Sequence, residues 1–110
     1  MEIPYVFGEP EILPEGTIAA VRVSVASRLQ ARIDAGDAAA IPQFAAYQLT
    51  MLEEPNYETA YIWYSIAAAL GLKGTLEARD DARKNVEDER IVELQAEAGT
   101  IYESLDININ

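Results

Sequence analysis

The sequence predicts an all-α domain of about five helices, arranged as antiparallel pairs, and three observations carry that prediction. Residues 56–71, Asn-Tyr-Glu-Thr-Ala-Tyr-Ile-Trp-Tyr-Ser-Ile-Ala-Ala-Ala-Leu-Gly, read as a helix without a hydrophilic face, since only Glu58, Thr59 and Ser65 are clearly polar between Tyr57 and Leu70. A surface helix shows an apolar stripe and a charged back, so this one must be the centre, covered on at least two sides. The segments on either side of it carry single apolar stripes at helical spacing. The links between them are too short for anything but an antiparallel return.

The elements follow in chain order. Residues 1–16 contain Pro4, Pro10, Pro14, Gly8 and Gly16, a density that opposes helix and most paired strand. The expectation is an extended arm whose apolar residues (Ile3, Tyr5, Val6, Phe7, Ile12, Leu13) lie in a groove of its own domain, the alternative being a seat on another copy or a partner. Thr17 to Ala35 places Ile18, Val21, Val25, Leu29 and Ile33 at helical spacing and is followed by Gly36 as a stop. The run Val21-Arg22-Val23-Ser24-Val25 alternates like a strand, but the helical stripe is far longer and decides the assignment. Arg22, Arg28 and Arg32 on this helix set against Glu2, Glu9, Glu11 and Glu15 suggest that helix and arm attract.

Asp37 is the expected cap of a second helix running through Phe44, Tyr47, Leu49 and Leu52 and beginning near residues 39–41, because Pro42 is tolerated only in a first turn. Glu53-Glu54-Pro55 links it to the central helix, which Asn56 caps and Gly71 terminates. Thr75 is the expected cap of a short, charged helix over 76–85, with Asp80 and Lys84 as a pair four residues apart. Asn85 is the expected cap of the last helix, with Glu87, Asp88 and Glu89 in its first turn and Ile91, Leu94, Ala98, Ile101 and Leu105 as its stripe. The domain is thus expected over 17–105, with 106–110 as a frayed tail.

Composition narrows the function. The 110 residues include no cysteine and no histidine, which removes disulfides, thiolate nucleophiles, imidazole bases and most zinc sites. Only 8 basic residues stand against 19 acidic ones, so a nucleic-acid backbone and an anionic lipid surface are both disfavoured as partners. No signal-like segment opens the chain, and its uncharged runs, 59–72 among them, fall short of the roughly 20 residues that span a bilayer. A cytoplasmic protein without cofactor is expected.

The small residues Ala60, Ala67 and Ala68 gather where helices must approach closely, as in a helical repeat. The central segment resembles the second helix of the Sel-one-like repeats, relatives of tetratricopeptide repeats, which reads Asp-Tyr-x-x-Ala-x-x-Trp-x-x-x-Ala-Ala-x-x-Gly. Tyr57, Ala60, Trp63, Ala67, Ala68 and Gly71 match, with Asn56 in place of the aspartate. Gly36-Asp37-Ala38-Ala39-Ala40 is similar to the Gly-Asp-x-x-Ala that joins such repeats, whereas Phe44-Ala45 and Glu53-Glu54-Pro55 depart from the family. The resemblance covers about residues 28–86 and implies a short right-handed array, closed by the last helix, that serves as a protein-interaction scaffold without catalysis.

The candidate sites follow from that reading. Trp63 could stack on a ligand, but its apolar setting and its family position assign it to the core with Tyr57, Ala60, Ala67 and Ala68. Tyr47 and Tyr61, among four tyrosines within 47–64, are candidates for the rim of a binding groove. Glu89, Glu93 and Glu97 recur every four residues and stack on one face of the last helix, an arrangement that costs a few tenths of a kcal/mol per pair in isolated helices. Either a basic patch of the same fold (Arg79, Arg83 and Lys84) offsets the ladder, or a basic partner does, or it is simply a solvated face. The serines lack an activating base, and the carboxylates Asp80-Asp81 and Glu87-Asp88-Glu89 sit on charged helix ends where a raised pKa is not expected, so a carboxylate enzyme is the weakest reading. The leading expectation is a non-enzymatic module that offers an acidic helical surface to a basic protein. Its narrower alternative is an immunity protein or antitoxin that occludes a basic toxin.

Overall fold

A computed structural model describes residues 15–107, and side chains from residue 21 onward. Every regular element among them is a helix: α1 (Glu15–Asp34), α2 (Ala40–Thr50), α3 (Tyr57–Ala69), α4 (Thr75–Arg83) and α5 (Asp88–Ser104). Helix α1 starts two residues before Thr17, so Glu15 and Gly16 belong to it and not to an arm. The expectations for residues 1–14, including their attraction to α1, lie outside the described residues, as do those for 108–110. Leu105, the last residue of the expected stripe, packs against the core, as does Ile107 two residues beyond it.

Helix α3 is the hub. It packs against α2, α4 and α5, while α1 packs on α2. The absence of a charged face in α3 therefore has the cause expected of it: three neighbours cover most of its surface. Ala60 and Ala67 are fully buried, and Trp63 is only 9 % exposed. The indole meets Phe44 of α2 edge to face, with ring centroids 5.2 Å apart, and Phe44 stacks in turn on Tyr47 at 6.1 Å. Such pairs add about 0.5–1.5 kcal/mol beyond the area they bury. Leu29 and Ile33 of α1 complete this side, whereas Val21, at the other end of the same stripe, is 47 % exposed.

The helix ends show which caps are local and which depend on tertiary placement. The Asn56 side chain accepts the Thr59 amide at 3.1 Å, satisfying one of the orphan N–H groups of α3. At the other end Gly71 has φ +80°, and the amides of Gly71 and Leu72 donate to Ala68 and Ala67, closing a Schellman turn. Gly36, with φ +94°, closes α1 in the same way, through Gly36 to Ile33 and Asp37 to Arg32.

The other three expected caps are not side-chain caps. Asp37 lies two residues before Ala39, which occupies the N-cap of α2. Its carboxylate instead accepts the Ala39 amide and the Arg32 guanidinium at 2.9 Å. Arg32 reaches on to Gln43, so Asp37 ties α1 to α2. Thr75 is the first residue of α4, with Gly74 at the N-cap, and its buried hydroxyl donates to the Leu72 carbonyl at 2.6 Å. Glu87 and not Asn85 precedes α5, without a side-chain bond. In each case the N-cap position falls one or two residues away from the polar side chain expected to fill it.

Candidate functional site

Two places on α5 can meet a partner or ligand, and they lie on opposite flanks. Positions two apart on a helix differ by roughly 200°, so Glu93 and Glu97 point away from Gln95 and Gly99.

The acidic flank carries Glu89, Glu93 and Glu97, all exposed. The basic patch expected to face them is elsewhere: Arg79 pairs with Asp80, Arg83 with Asp88, and Lys84 with Asp81. Lys84 thus takes the aspartate three residues before it and not Asp80. The cation that serves the ladder is Arg90, which donates to both carboxylate oxygens of Glu58 on α3, at 3.1 and 3.0 Å, and also to Glu93. The hydrogen bonds from Arg90 hold the Glu58 carboxyl below its ordinary range, against a smaller opposing effect of burial. Those bonds, with the nearby charges of Glu58, Glu93 and Glu97, hold the guanidinium above its own ordinary value. The ladder is therefore partly neutralised within the fold, and its unpaired members among the described residues are Glu89 and Glu97.

The tyrosine candidates are core residues. Tyr47 is 8 % exposed and donates its hydroxyl to the Arg22 carbonyl at 2.9 Å, fastening α1 to α2. Tyr61, 2 % exposed, accepts a bond from Gln95 of α5 at 3.2 Å. Both rings are largely buried, and Tyr61 also lines the cavity between α3, α4 and α5. Tyr57 and Tyr64 are half-buried, and burial raises the Tyr64 phenol above its usual value.

The opposite flank holds a cavity of about 220 Å³ between α3, α4 and α5. Its lining includes Tyr61, Ser65 and Ala69, spaced four apart on one face of α3, together with Arg79 of α4 and Gln95 and Gly99 of α5. Gln95 and Gly99 are exposed, so the cavity opens to solvent along α5. Ser65 is part of this wall, but its hydroxyl oxygen is shielded from solvent and has no hydrogen-bond partner among the described residues. Such an orphan ordinarily costs about 1–3 kcal/mol. Gly99 makes the space: a Cβ added there would meet nothing within 4 Å.

This cavity was not among the sequence candidates, yet two residues signal it. Ser65 is a polar exception in an apolar helix, and Gly99 is a glycine in a helix interior, where it costs about 1 kcal/mol relative to alanine. Of the other two polar exceptions of α3, Glu58 has structural work, since it holds Arg90. Among the described residues no three Asp or Glu side chains converge as a metal site would require. No family model, curated protein or solved structure matches the chain.

Proposed function

We propose that this chain is a non-enzymatic protein-binding module of the Sel-one-like, helical-repeat kind, which presents the acidic flank of α5 to a basic protein partner. The observation that carries the reading is the distribution of charge on α5. Its five carboxylates, Asp88, Glu89, Glu93, Glu97 and Glu103, are exposed and share the helix with a single cation, Arg90, which is already held by Glu58 and Glu93. No described residue forms an ion pair with Glu89 or Glu97, so the cost of stacking like charges is only partly relieved there, and a cationic surface would relieve it further. The placement of the repeat-like residues supports the same reading: Ala60, Trp63 and Ala67 are buried in α3, and Gly71 has the left-handed backbone that ends it. The lack of histidine and cysteine supports a non-enzymatic role, because neither hydroxyl nor carboxylate has an imidazole or thiolate to work with.

The test begins with affinity capture of the partner by the full chain. Replacing Glu89 and Glu97 by glutamine should leave thermal stability within about 0.5 kcal/mol of the parent. The on-rate should fall, and its dependence on salt should shrink. Equal on-rates for parent and variant at low salt would remove α5 from the interface. Glu93 is left intact because it also bonds Arg90.

A further inference from the structure

We propose that the cavity between α3, α4 and α5 is a binding site for a small aliphatic carboxylate. Size sets the first limit. At about 220 Å³ the cavity is smaller than the roughly 300–1,000 Å³ of pockets that enclose a drug-sized ligand, so it suits a small one. Chemistry sets the second. The lining offers donors: the Tyr61 hydroxyl proton and the Arg79 guanidinium. Arg79 gives its Nε and Nη2 to Asp80, which leaves Nη1 for a second acceptor. Among the described residues it is the one charged residue of the lining, and no carboxylate joins it there. The rest of the lining supplies an apolar bed in Ile66, Ala69 and Ala98. A body of four or five carbons fits that bed, and a carboxylate can accept from Arg79. The reading is independent of the protein-partner proposal, because the acidic flank faces away from the cavity.

The probe is 3-methylbutanoate, which has seven non-hydrogen atoms, titrated into the full chain and followed by amide chemical shifts. Saturable binding with a Kd on the order of 1 mM is expected for a ligand of this size, with shifts centred on residues 65, 79 and 99. Arg79→Gln should weaken it at least tenfold. Gly99→Leu should abolish it while leaving the melting temperature equal to or above the parent's, because leucine fills the space and favours helix. The same carbon skeleton as an alcohol or an amine should bind at least tenfold more weakly. Equal affinity for the alcohol would overturn the carboxylate assignment, and undiminished binding by a folded Gly99→Leu variant would overturn the site. A peptide ending in leucine that bound more tightly than the free acid would overturn the small-molecule assignment in favour of a polypeptide terminus.

Discussion

Helix α3 meets its neighbours in two different ways. Toward α2 it presents Trp63, which closes against Phe44 and Tyr47 in an interlocked aromatic cluster. Toward α4 and α5 it presents Tyr61, Ser65 and Ala69, and the space between them is left unfilled beside Gly99. The first contact is held by packing. The second is packed as well, with Ile66 and Leu94 almost fully buried, but it also carries polar bonds at its edge, Glu58 to Arg90 and Gln95 to Tyr61, and leaves the cavity open. Large rings fill the gap between helices and oppose relative movement, whereas alanine, serine and glycine let backbones approach but leave space wherever two helices diverge. One helix can thus serve as the rigid centre of the fold on one side and as the wall of a cavity on the other.

Three substitutions would break or sharpen that contrast. The largest effect is expected of Trp63→Ala, which empties the aromatic side of α3 and should cost about 3–5 kcal/mol, a large share of the stability of a domain of this size. Thermal or denaturant unfolding measures it. A variant that melts like the parent would show that the aromatic contact is not the structural one.

Next comes Gly99→Ala on the cavity side. The added methyl meets no atom within 4 Å and removes the flexibility of a glycine within a helix, so stability should rise by about 0.5–1 kcal/mol. A fall in melting temperature would mean that the cavity wall is tighter than its geometry implies.

The smallest effect at neutral pH is expected of Glu58→Gln, because the ion pair with Arg90 is half-exposed. Its signature is in the acid limb. The carboxyl of Glu58 is held below its ordinary value near 4.5, so its contribution is present above that value and is lost as pH falls through the lowered one. Arg90 stays charged throughout and adds no slope there. The variant should therefore lose less stability than the parent on acidification below about pH 4.5. Parallel acid limbs for the two proteins would show that the Arg90 contact contributes nothing to folding.

The sequence alone was enough to place the five helices and their centre. That information is local: Asn56 and Gly71 act through backbone groups within five residues of themselves, and the stripe Ile91, Leu94, Ala98, Ile101 marks the packed face of α5 whatever it packs against. The identity of α3 as the hub was equally legible, since a helix with no charged face has to be enclosed. Asp37, Thr75 and Asn85 show where local reasoning stops. Each has the chemistry of a cap, yet each stands one or two residues from the N-cap position of its helix. The candidate sites depended still more on the third dimension. Tyr47 and Tyr61 are amphipathic, and only their bonds to Arg22 of α1 and Gln95 of α5 place them in the core. The glutamate ladder is visible as a spacing of four, but its partial neutralisation comes from Arg90, fixed by a carboxylate 32 residues earlier in the chain. The cavity is the extreme case: Ser65, Arg79 and Gly99 come from three helices, and their convergence is a property of how α4 and α5 diverge over α3. Side-chain type and spacing determine which groups a helix exposes. Only the packing of one helix on another decides which of those groups meet.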